Sequence, residues 1–142
     1  MQRNIAFIAL LMLLLAGCSL NKKLSQPEDF EKFRKQFYSD SIFHYNRINF
    51  PLEMQTIEYR HRLEHDANPT SGPDTIVFTR ASLPRTIKGL SEYPEGYQSK
   101  IEPSKYGFDE VIFIPGSGYI ERRSFSMVDN RWYLIHLFIM NL

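Results

Sequence analysis

Tyr119-Ile120-Glu121-Arg122-Arg123-Ser124-Phe125-Ser126-Met127-Val128-Asp129-Asn130-Arg131-Trp132-Tyr133-Leu134-Ile135-His136-Leu137-Phe138-Ile139-Met140 is the stretch that decides how this chain folds. Two runs with strand composition, Tyr119–Val128 and Trp132–Met140, flank a three-residue turn, Asp129-Asn130-Arg131. A turn that short joins antiparallel neighbours. A third run, Glu110–Ile114, precedes them across Pro115-Gly116-Ser117-Gly118, so the C-terminal third reads as a β-meander. Alternation in the last strand puts Trp132, Leu134, His136, Phe138 and Met140 on one face and Tyr133, Ile135, Leu137 and Ile139 on the other. Both faces are apolar, which predicts cover on both sides. Helices can supply one cover, and a second copy, a loop or a ligand the other.

The segment before the meander carries the helices. Phe30, Phe33 and Phe37 recur at i, i+3 and i+7 and share one helical face, with Glu31, Lys32, Arg34 and Lys35 on the other sides. Ser25-Gln26-Pro27-Glu28 has the spacing of a capping box and predicts the helix start. Asp40 predicts the cap of a second short helix to about Arg47, and Pro51 ends the helical section by disfavouring helical geometry at Phe50. Ile57, Tyr59, His61 and Leu63 alternate with charged residues, which predicts a strand, and Thr75–Thr79 predicts another. Residues 82–108 hold three prolines, three glycines and three tyrosines without clean periodicity. They read as a long connection with one or two helical turns after Pro84.

At the other end, Arg3 precedes an apolar run from Ile5 to Leu15, followed by Ala16-Gly17-Cys18 and an abrupt polar turn at Ser19, Asn21, Lys22 and Lys23. Eleven apolar residues span about 17 Å as a helix, against the roughly 30 Å of a bilayer core. The pattern is that of a secretory signal, and the cysteine just past its cleavage point resembles the lipobox of bacterial lipoproteins. That resemblance implies a signal peptide over residues 1–17, a lipid on Cys18, a tether to residue 25 and one domain over residues 26–142. Cys18 is the only cysteine, so the lipid leaves no thiol for a disulfide. The tether of residues 19–25 reaches at most about 25 Å. Ser19 is not the aspartate that retains many such proteins at an inner membrane, and the resemblance therefore implies an outer membrane, facing the periplasm. Losing Arg3 leaves 16 basic against 16 acidic residues, which argues against a nucleic-acid partner.

Helices followed by a curved antiparallel sheet that closes on a Trp-bearing hairpin look like the cone-shaped α+β fold of the nuclear transport factor 2-like superfamily. The string Phe30-x-x-Phe33-x-x-x-Phe37-x-x-Asp40-Ser41-x-Phe43-x-x-x-Arg47-Ile48-x-Phe50-Pro51-Leu52 resembles a family of small bacterial lipoproteins catalogued as domain of unknown function 4348, and Val128–Leu134 is similar to its closing hairpin. The resemblance implies the fold and an envelope location, and supplies no reaction.

Chemistry-bearing candidates are few. Enzymes of the wider superfamily place an Asp/His pair inside the cone, which makes His136, oriented by Asp109 or Asp40, the candidate for an isomerase or dehydratase. A histidine satisfied within the core is the plainer reading. Tyr93, Tyr97, Tyr106 and Phe108 in the long connection, with Trp132 and His136, are candidate contacts for a small ligand or an envelope protein; the plainer reading of the four loop aromatics is that they lie back on the sheet and close the core. His61 and His65 lie about 13 Å apart on a strand, too far for one ion, and neither metal nor cofactor is expected. Gly116-Ser117-Gly118 lacks the spacing of a nucleophile elbow and reads as a turn. Consecutive Arg122 and Arg123 must point to opposite faces; the plainer reading is a strand edge blunted by charge, and the alternative puts one of them inward on a carboxylate or an anionic ligand. The expectation is a lipid-anchored, non-catalytic binding module, with a homodimer through the C-terminal sheet. The alternatives are the His136 enzyme and a purely structural envelope protein.

Overall fold

The computed structural model describes residues 26–58, 72–83 and 87–142. Helix α1 (Phe30–Ser39) and helix α2 (Ser41–Asn46) precede six strands, β1 (Ile48–Glu58), β2 (Asp74–Phe78), β3 (Gln98–Ser104), β4 (Gly107–Phe113), β5 (Tyr119–Val128) and β6 (Arg131–Asn141). The strands form one sheet in the order β2-β1-β6-β5-β4-β3. All neighbours are antiparallel except β1 and β6, which run parallel, so the sheet is mixed where an antiparallel one is expected.

Both helix caps follow from short polar side chains meeting unpaired N–H groups. Asp40 caps α2 as expected, its Oδ1 accepting from Ile42 N and Phe43 N at 3.0 Å each. The α1 cap is Asp29, which accepts from Lys32 N at 2.8 Å; the helix begins at Phe30, not at the predicted box around Ser25, which lies outside the described residues. Phe33 and Phe37 are buried on the sheet with Ile48, Leu52, Phe125, Trp132, Leu134 and Leu137. Each such ring stabilises the fold by about 1.5–3 kcal/mol through removal from water. Phe30 completes the cluster, its ring stacked on Phe108 at 4.7 Å and edge-on to Trp132 at 5.0 Å.

The strands correct the sequence reading in three places. β1 begins at Ile48, before the proline, and its pairing with β6 slips between Ile48 and Glu53, the stretch where Pro51 has no N–H to give. Residues 59–71, with the rest of the predicted strand and His61 and His65, lie outside the described residues. The connection over 82–108 contains the whole of β3 and the start of β4 and, among its described residues, a 3-10 turn at Leu90–Glu92. β3 is an outer strand carrying Lys100 and Pro103, residues that blunt a sheet edge and hide its periodicity. The closing hairpin forms where expected, but its turn is the two residues Asp129 and Asn130, both at positive φ (49° and 62°), and Arg131 belongs to β6, paired with Val128.

The third correction matters most. Ser124 pairs with His136 but Phe125 pairs with Leu134, so Ile135 is an extra residue in β6. A bulge of one residue inverts the alternation beyond it. Trp132 and Leu134 face the helices, as do Leu137 and Ile139, whereas His136, Phe138 and Met140 face outward.

Candidate functional site

On the inner face, Phe108, Glu110 and Ile112 of β4 lie opposite Phe125, Arg123 and Glu121 of β5. Alternation alone delivers these charges to the face that α1 covers. Arg123 is 0% exposed, and Glu110 and Glu121 are also buried. Burying a charge is tolerated only when it is paired and its hydrogen-bonding capacity is filled. Arg123 meets both conditions. Its Nε donates to Glu121 Oε1 at 2.7 Å, its Nη1 to Tyr38 Oη at 2.7 Å and, at longer range, to Glu110 Oε2 at 3.5 Å, and its Nη2 to Tyr93 Oη at 2.8 Å.

The two tyrosines pass the bonding on. Tyr38 donates to Glu110, and Tyr93 donates to Glu121 Oε2 at 2.6 Å. Tyr119 adds a second hydroxyl on Glu121 at 3.1 Å, and Arg34 reaches Glu110 Oε1 at 3.2 Å from α1. Burial pushes the Tyr38 and Tyr93 hydroxyls well above the ordinary tyrosine range; the Arg123 cation opposes this, and Glu110 and Glu121 reinforce it. Burial also works against the Arg123 charge, but Tyr38, Glu121 and Tyr93 outweigh it and hold the guanidinium protonated. The Tyr38 and Tyr93 hydroxyls therefore act as neutral hydrogen-bond donors near neutral pH.

Beside the network lies a cleft of about 630 Å³ between α1 and the Gly89–Ser91 segment. Tyr38 and Arg34 line it, Glu31, Lys32 and Lys35 rim it, and Gly89 and Leu90 form the opposite wall. Gly89 makes that approach easy, since a Cβ there would stand 3.2 Å from Tyr38, a tight contact. The segment is fixed at one end by buried His44, whose Nε2 accepts from Ile87 N at 3.3 Å while Nδ1 meets Phe37 O at 3.0 Å. Since Phe37 O can only accept, Nδ1 carries the proton and the ring is neutral. Burial lowers the His44 pKa, the Phe37 carbonyl opposes this, and Arg123 adds to the lowering.

The six candidate contact residues part company. Tyr93 enters the network, and Tyr97 packs on it at 5.0 Å and on Tyr119 at 5.4 Å. Phe108 and Trp132 belong to the aromatic core, where the Trp132 indole donates to Glu28 O at 2.8 Å. Tyr106 is exposed on the β3–β4 turn. His136, expected beside Trp132 and Leu134, stands on the outer face between Ser124 and Glu53 instead. Neither proposed partner orients it. Asp40 caps α2, and Asp109 is two strands away, about 10 Å, bound to Arg122 at 3.1 Å. The homodimer expected through the C-terminal sheet would have to use that outer face, with Phe138 and Met140, because the helices fill the inner one. Ser117 accepts from Tyr119 N and donates to Ile114 O, as a turn residue does. Cys18 lies outside the described residues, among which no three His, Cys, Asp or Glu converge as metal ligands.

Sequence reasoning missed Arg34, Tyr38, His44, Glu110 and Glu121. The available signal was the alternation Glu121-x-Arg123-x-Phe125, which puts a charge pair on the same face as a core ring.

Helices lying on one face of a curved mixed sheet, around a buried polar cluster, define an α+β cone. Among solved structures the chain is similar to an NTF2-like protein from Bacteroides fragilis NCTC 9343, with a TM-score of 0.51 and 17% identity over 83% of this chain. The fold is therefore nuclear transport factor 2-like. The match covers 49% of the other protein, so this chain spans about half its length. No family model and no curated protein matches the chain.

Proposed function

We propose that this protein is a lipid-anchored binding module of the bacterial cell envelope, held through Cys18, that takes an anionic ligand or partner in the cleft between α1 and Gly89–Ser91. The single observation behind this reading is the contrast between the interior and the rim. Inside, Arg123, Glu110, Glu121, Tyr38 and Tyr93 are committed to one another, which leaves no free acid or base facing a substrate. At the rim, Lys32 and Lys35 are exposed and outnumber Glu31, whose carboxylate is held by Arg34 at 3.0 Å. Binding therefore fits the geometry better than catalysis, and His136 on the outer face gives the isomerase reading no support. The lipobox and the Phe30–Leu52 string support membership of the small-lipoprotein family and an outer-membrane location facing the periplasm.

Purification of the mature lipidated protein, with mass spectrometry of what accompanies it, tests the reading. An anionic small molecule or an acidic partner should co-purify and should be lost from the Lys32→Glu/Lys35→Glu variant. Retention by that variant, or nothing bound to either protein, would overturn it.

A further inference from the structure

The chain enters the folded domain at one end of the sheet. Glu28 N donates to Asn130 O at 3.0 Å, in the β5–β6 turn. Trp132 N donates to the Glu28 carboxylate at 2.8 Å, and Arg47 grips the same carboxylate at 2.9 Å. The lipid anchor proposed at Cys18 would therefore join the described domain beside the β5–β6 turn. Gly107 pairs with Ser126, which sets the β3–β4 turn, Lys105-Tyr106, beside that entry point. At this end Tyr106 is 60% and Val128 49% exposed, two of the few large apolar side chains left in water among the described residues.

We propose that this end of the sheet is a membrane-docking surface that lays Tyr106 and Val128 into the headgroup region of the bilayer holding the Cys18 lipid. The proposal rests on the lipidation argued above. A tyrosine ring has an apolar body and a polar tip, which suits it to the boundary between acyl chains and water. Lys105, its Nζ 5.2 Å from the centre of the Tyr106 ring, and exposed Arg131 carry long stems that can lie along apolar surface while their charges reach phosphates. Lys105 and Arg131 are balanced by Asp29 and Asp129, so docking does not depend on anionic lipid.

Two side chains would not hold a free protein on a bilayer. A tethered domain needs far less, because the anchor makes contact intramolecular and the effective concentration high. Reach sets the orientation. The tether spans at most about 25 Å, whereas the ten residues of β5 extend about 33 Å. The domain therefore cannot stand on its Tyr119 end with the β5–β6 turn raised the full length of β5 above the bilayer, and docking of Tyr106 and Val128 puts the Tyr119 end, with Tyr93 beside it, on the periplasmic side.

The full lipidated chain in phosphatidylethanolamine/phosphatidylglycerol vesicles provides the test. Cys18 is blocked by its lipid, so Tyr106→Cys, Val128→Cys and, at the far turn, Ser117→Cys each offer one thiol for an environment-sensitive fluorophore. Probes at 106 and 128 should lose intensity in vesicles of acyl-brominated lipid, and the probe at 117 should not. Equal quenching at 117, or none at 106 and 128, would overturn the proposal. Tyr106→Trp, read as the quenching it adds over the parent protein, whose emission comes from Trp132, repeats the measurement without a label. Partition of the same samples into Triton X-114 separates the two readings. Protein in the aqueous phase refutes the anchor and the docking with it, whereas protein in the detergent phase with silent probes refutes only the docking.

Discussion

Arg123 and Glu121, two positions apart on β5, meet at 2.7 Å on the inner face of the sheet, where the guanidinium has no solvent at all. The pair is the hub through which α1, the Tyr93 loop and β4 are joined. Arg123→Met should leave Glu110 and Glu121 buried with too few partners and cost about 3–5 kcal/mol, the usual penalty for breaking a buried ion pair from one side. Replacing Arg123, Glu110 and Glu121 together by Met and Leu should recover most of it, because no uncompensated charge then remains. Urea unfolding midpoints compare the two, and a single variant as stable as the parent would contradict the assignment.

The hydroxyls on Glu121 should not be equivalent. Tyr93 both donates to Glu121 and accepts from Arg123, so Tyr93→Phe should cost about 1–3 kcal/mol for polar groups left unsatisfied. Tyr119 makes only the longer bond to an oxygen already served by Tyr93, and Tyr119→Phe should cost about 0.5–1.5 kcal/mol. Reversal of that order in chemical denaturation would show that the loop is not held through Tyr93.

His44 makes stability depend on pH. Its folded pKa lies below its unfolded value of about 6.5, so the unfolded chain binds the proton more readily. Its contribution is therefore fully present above about pH 7 and is lost as pH falls through 6.5. His44→Gln should flatten the slope of unfolding free energy against pH between about 5 and 7. An unchanged slope would refute a buried neutral ring.

Gly107 and Gly116 both have positive φ, at 151° and 74°, but only Gly107 is hemmed in. A Cβ there would come within 2.6 Å of Phe125 O and 2.7 Å of Trp132 Cζ3, while Gly116 has nothing within 4 Å. Gly116→Ala should cost about 1 kcal/mol for the backbone conformation alone. Gly107→Ala should cost about 1–3 kcal/mol more for overpacking against backbone and indole. Thermal unfolding of the two variants checks the difference.

Much of the fold was legible because its signals are local. The three phenylalanines of α1, the Asp40 cap, and the Asp129-Asn130 turn each act within a few residues of themselves. β3 was not legible. Its Pro103 and Lys100 suit an outer strand and erase the alternation that marks an inner one. The parallel partnership of β1 with β6 joins residues more than 80 positions apart, and no window of sequence holds it.

By itself the sequence determined the class of fold, the burying face of α1, the closing hairpin, and the expectation of a lipid at Cys18. Tertiary structure alone decided which candidates meet. One extra residue at Ile135 turned His136 away from the cone, because alternation only counts positions and a bulge inverts the count. The same structure brought Arg34 and Tyr38 from a helix, Tyr93 from a loop, and Glu110, Glu121 and Arg123 from two strands into one cluster. A charge cannot be buried without partners, and those partners come together only when the sheet has closed around α1.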